Sequence, residues 1–173
     1  MSLLDKLRRD RPPAGATASL DADDRLLSWA STTGGYVVAS RRGLRLPGER
    51  FVPWHRVDKA VWRDGVLQII EAVQDEPGVM RALAPATYEL AEPRNLPSVV
   101  QARVTQSVAS TSRHPLPGRD AGAIRVVARR VAGQDGLDWS VRYESGADGG
   151  DPEVRRAAER LLAEVRAAST PAE

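Results

Sequence analysis

The stretch FVPWHRVDKAVWRDGVLQII, residues 51–70, decides the fold. It holds two of the chain's four tryptophans, one of its two histidines and an Asp64-Gly65 pair set between strand-forming runs. Val52 and Trp54 lie on one side of an extended chain, His55 and Val57 fall out of that register, and Ala60 and Trp62 resume an alternation. Asp-Gly between strand formers is a strong hairpin signal, because both central positions of a two-residue turn need a positive φ that these residues tolerate. The two tryptophans are therefore expected as wall material of a hairpin and of the strand that feeds it. That makes the cluster a framework rather than a reaction centre.

Upstream, RLLSWA (25–30), GYVVAS (35–40) and GLRLPG (43–48) are brief apolar or alternating runs separated by turn residues at hairpin distances, which predicts a three-stranded meander. Downstream, VMRALA (79–84) and TYELAE (87–92) read as weaker strands broken by Pro85. From Asn95 the period changes. Leu96, Val99, Val100, Val104 and Val108 recur at three- and four-residue steps, predicting a helix with Asn95 as N-cap and Pro97 in its first turn. β-Branching costs each valine roughly a few tenths of a kcal/mol, which the amphipathic spacing outweighs. STSRHPLPGRDAG (110–122) reads as a loop. AIRVVARRV (123–131) and LDWSVRYES (137–145) then alternate as a second antiparallel hairpin across AGQDG. Ile124, Val126 and Ala128 take one face of the first strand, with Arg125 and Arg129 nearer the other. The segment DPEVRRAAERLLAEVRAAS (151–169) predicts an amphipathic helix: Asp151 caps it, Pro152 opens it and Glu153 complements its positive end. Burial of Leu161, Leu162 and Val165 there would stabilise by roughly 1.5–3 kcal/mol for each larger side chain.

Composition bounds the function. At 173 residues with 42% hydrophobic and 28% charged residues the chain suits one globular domain with an elaboration, large enough to bury a core without staples. Of 25 basic residues only Lys6 and Lys59 are lysine, and the formal net charge is +2, a small excess for a dedicated nucleic-acid binder. Cysteine is absent, which excludes a disulfide framework, a thiol nucleophile and a thiolate metal site. MSLLDKLRRDRPP lacks the apolar run of a secretory signal, and nowhere do eighteen apolar residues run together, so a soluble, cytoplasmic protein is expected. Residues 1–20, rich in Arg, Pro, Gly, Ala and Ser, read as a flexible N-terminal tail.

The segment DRLLSWAST followed by GYVVASRRGLRLPGERFVPWHRVDKAVWRDGVLQI resembles the core of bacterial pleckstrin-homology-like domains. That resemblance covers about residues 20–112. It implies a strongly bent antiparallel sheet closing into a small β-barrel, with the helix from Asn95 as its plug. The fold class expected is thus α+β: a small bent antiparallel barrel with a capping helix over 21–112, then a β-hairpin and a C-terminal amphipathic helix over 113–173, packed on the barrel.

Candidate chemistry is sparse. A catalytic His55 needs a partner, and the nearest in sequence, Asp58, projects from the opposite face of a strand, so a surface residue at a turn edge is the better account. His114 lies in the predicted loop with Ser110, Thr111 and Ser112, but without a G-x-S-x-G elbow; a small hydrolase using this loop is the enzymatic alternative. Two distant histidines and the DGGDPE segment give no metal-ligand spacing, and Asp148 and Asp151 are better explained as turn and cap residues. The Gly34-Gly35 and Gly149-Gly150 pairs lack the context of a phosphate-cradling loop, so no cofactor is expected. Arginine pairs remain, at Arg8-Arg9, Arg41-Arg42 and Arg129-Arg130. If Arg41, Arg42 and Arg45 crowned the barrel's open end, they would suit an acidic headgroup, an RNA backbone or an acidic protein surface. The sequence thus reads as a non-enzymatic interaction or scaffold module with a protein partner. Nucleic-acid or ribosome binding through the arginines is the principal alternative.

Overall fold

The computed structural model describes residues 11–18, 20–118 and 121–169. Its elements are α1 (Ala14–Thr17), β1 (Leu26–Thr32), β2 (Gly35–Ser40), β3 (Gly43–Leu46), β4 (Arg50–Pro53), a 3-10 turn (Trp54–Arg56), β5 (Val57–Arg63), β6 (Val66–Glu76), β7 (Val79–Ala82), β8 (Ala86–Ala91), α2 (Leu96–Ser107), β9 (Val108–Pro115), β10 (Ala123–Arg130), β11 (Leu137–Tyr143) and α3 (Pro152–Ser169). The class is α+β, and among the described residues no helix is long and apolar enough to cross a membrane.

β1 to β4 form an antiparallel meander, β1 pairs with β8, β8 with β6, and β6 with β5, all antiparallel. Asp64 and Gly65 both have positive φ between β5 and β6, the turn that the Asp-Gly pair predicts. The expected closed barrel is not formed: the sheet is open, with β4 at one end of the path and β5, among the described residues, paired only to β6. The interruption falls where Pro53, without an N–H to donate, hands the chain to the 3-10 turn instead of extending the ladder. The sheet nevertheless curls around one core. Val52 of β4 and Val57 of β5 share it with Leu44, Leu67 and, from α2, Leu96, Val100 and Val104.

β6 holds the two halves of the chain together. Residues 66–71 of this eleven-residue strand pair with β5 and β8, and its far end pairs with β7. β7 then meets β11 at a single parallel bridge, Val79 to Val141, supported by a 2.8 Å bond from the Val141 amide to the Gly78 carbonyl. β11, β10 and β9 complete the sheet. One face of this second region presents Ile124, Val126 and Val141 to Ala158 of α3. Leu161, Leu162 and Val165 pack there too but stay half-buried, so each stabilises by less than full burial would. Asp151 caps α3 as expected, accepting a 2.8 Å bond from the Glu153 amide.

Several expectations are corrected. The predicted loop from Ser110 begins as strand β9, and the helix from Asn95 ends before Val108, whose backbone is extended. Asn95 holds the N-cap position without capping; its side-chain oxygen accepts instead from the Ser28 hydroxyl at 2.7 Å. Trp54 is buried, with its indole N–H donating to the Ser40 carbonyl at 2.9 Å. Trp62 shares a face with Ala60 and its cross-strand neighbour Leu67, yet it is 38% exposed because it stands beside the turn, at the rim of the core. The expected N-terminal tail lies partly outside the described residues. Within its described portion, α1 buries Ala16 completely.

Candidate functional site

Arg41, Arg42 and Arg45 lie where the β2–β3 turn meets the segment before β1. Arg42 pairs with Asp23 and lies 3.8 Å from Asp21, while Arg45 reaches Asp21 at 3.0 Å and Asp24 at 3.3 Å. The guanidinium of Arg45 also stacks 4.7 Å from the centre of the Phe51 ring. The aspartates thus offset much of the positive charge that these residues carry in the sequence. Arg41 is exposed.

The histidines are held in different ways. His55 sits in the 3-10 turn rather than on a strand. Burial first, then the Arg56 and Arg129 guanidinium groups, hold its imidazole below the ordinary range against a partial opposing pull from Asp138. His114 lies on β9, two residues from Ser112, and its Nε2 is 2.9 Å from the Ser112 hydroxyl. Among the described residues no carboxylate hydrogen bonds to His114. No cluster of metal-ligating side chains occurs among the described residues.

The densest charged assembly lies between the two regions. Alternation along β10 sends Ile124, Val126 and Ala128 toward α3 and Arg125, Val127 and Arg129 to the opposite face, where register with β11 adds Arg142 beside Arg125 and Asp138 beside Arg129. Arg129 is only 6% exposed. It donates to the Val57 carbonyl at 3.0 Å and the Ser107 hydroxyl at 2.8 Å, and lies 3.5 Å from the Asp58 carboxylate, to which Arg142 also pairs. One side chain thereby joins β10 to the start of β5 and the end of α2. Burial and the neighbouring Arg142 lower the pKa of Arg129, with Asp58 and Asp138 opposing. Nearby, hydrogen bonds from Arg113 at 2.6 Å and Arg125 at 2.7 Å lower the pKa of Glu144 from its ordinary value. The sequence carried half of this signal in Arg125 and Arg129 on one face; Asp58 and Arg142 arrive only through tertiary pairing.

No family model, curated protein or solved structure matches the chain.

Proposed function

We propose that the chain is a non-enzymatic interaction module whose N-terminal half is pleckstrin-homology-like, and that it receives an extended segment of a partner protein along the outer edge of β5. The meander β1–β4, the strands β5, β6 and β8, and a helix filling the core are the parts that the sequence resemblance implies. One observation carries the binding assignment: among the described residues β5 pairs only with β6, and its penultimate residue is Trp62, whose large aromatic side chain is 38% exposed. A free edge supplies unpaired backbone groups for strand addition, and a rim tryptophan supplies the apolar anchor that such an interface needs at its centre. The outer edge is already in use at its beginning, where Arg129 bonds to the Val57 carbonyl, so the partner would lie against the Lys59–Arg63 end.

Affinity capture from native extract, comparing the wild-type chain with Trp62→Ala and Trp62→Phe, tests this reading. The expected result is a co-purifying protein lost with Trp62→Ala and retained with Trp62→Phe, at an unchanged thermal midpoint. Equal capture by wild type and Trp62→Ala would overturn it.

A further inference from the structure

The space between the two regions holds more guanidinium than the described residues satisfy. A cavity of about 370 Å³ opens there, lined by Asp58 of β5, Thr111 of β9, Arg125 and Arg129 of β10, Arg142 of β11 and the adjoining Glu144. Arg113 approaches the same Glu144 carboxylate from β9. Among the described residues, four guanidinium groups therefore meet two carboxylates, and the cations remain in excess when Asp138, registered opposite Arg129, is counted as a third. More telling, the Nε–H groups of Arg129 and Arg142 are both buried and both lack an acceptor among the described residues. Buried polar hydrogens are almost always satisfied, and two unsatisfied ones on charged side chains lining one cavity mark a place for an acceptor from outside the chain.

We propose that this cavity binds a tetrahedral oxyanion of the phosphate class, held by Arg129 and Arg142 with the more exposed Arg125 beside them. Carboxylates are already supplied by Asp58 and Glu144, yet those planar groups leave the two Nε–H donors unmatched. A phosphate group offers acceptors in several directions and a charge close to −2, so it can serve non-coplanar guanidinium groups at once. It would also relieve the mutual repulsion of Arg129 and Arg142. The β5 edge beside Trp62 is not part of this cavity, so the two assignments stand or fall separately.

The test is calorimetric titration of the full chain with inorganic phosphate and, separately, with O-phosphoserine, at constant ionic strength with chloride as the reference anion. Saturable one-to-one binding is expected, weakened roughly ten- to hundredfold by Arg125→Gln and by Arg142→Gln and unchanged by Arg42→Gln, which lies in the separate aspartate-paired group. Arg125 is 46% exposed, so Arg125→Gln keeps the comparison usable even if Arg142→Gln fails to fold. O-Phosphoserine binding at least as tightly as phosphate would identify a phosphorylated side chain as the source, and phosphate alone would identify the free ion; either sustains the proposal. Absence of saturable binding by both, or binding that Arg125→Gln leaves undiminished, would overturn it.

Discussion

Around Leu44, Leu67 and Val100 the N-terminal half gathers a cluster of fifteen buried residues from seven strands, the 3-10 turn and α2, whereas at α3 the buried cluster comprises Ile124, Val126 and Val141 with Ala158 of the helix itself. Both regions use the same alternation along strands, but they differ in what covers the second face of the sheet. The first curls its sheet about one apolar interior. The second is a short stack of strands with a helix on one side and, on the other, a layer of arginines and carboxylates that joins it to β5. The first region is built around apolar burial; the second adds to its smaller apolar cluster a charged joint whose members come from β5, α2, β10 and β11.

That contrast can be broken by mutation. The largest effect is expected for Trp54→Ala, which removes a buried indole and leaves the Ser40 carbonyl without its donor. Loss of a large core aromatic costs about 3–5 kcal/mol, and urea denaturation should show it as a lower midpoint for the whole chain. Arg129→Ala should cost less, about 2–3 kcal/mol, by removing the side-chain donor to the Val57 carbonyl and the bond that the Ser107 hydroxyl accepts. Its signature is spatial: amide exchange in β9 to β11 should accelerate while β1 to β4 keep their protection. Uniform acceleration throughout would show that the regions are not separately organised. The smallest effect concerns acidity. Because the folded chain holds the His55 imidazole below its unfolded value of about 6.5, the unfolded chain binds more protons as pH falls through that value, and stability present at neutral pH is lost there. Thermal midpoints of wild type and His55→Gln, followed from pH 7 downward, should therefore diverge, with the wild type falling more steeply.

The strands of the first meander, the Asp64-Gly65 turn, the β10–β11 hairpin and α3 were legible because their signals are local, carried by alternation, turn chemistry and a three-to-four spacing. β9 was not, because Ser110, Thr111, Ser112, Arg113 and His114 place polar side chains on both faces of an edge strand, which erases the alternation that marks a half-buried one. The open seam at Pro53 was equally hidden, since whether a curled sheet closes depends on the approach of strands distant in sequence. For the candidate sites the limit is similar. The arginines at 41, 42 and 45 stood out in the sequence, but their aspartate partners at 21, 23 and 24 lay about twenty residues away. The role of Arg129 depends on Asp58, some seventy residues earlier.

The long strand β6 has a consequence for how this chain tolerates change. Because its two ends are read by different neighbours, inserting a single residue near Glu71 would leave Leu67 and Ile69 facing inward while turning every side chain beyond the insertion to the opposite side. Lengthening is therefore far safer in the turns at either end of this strand than within it. The two halves share one phase and cannot drift independently.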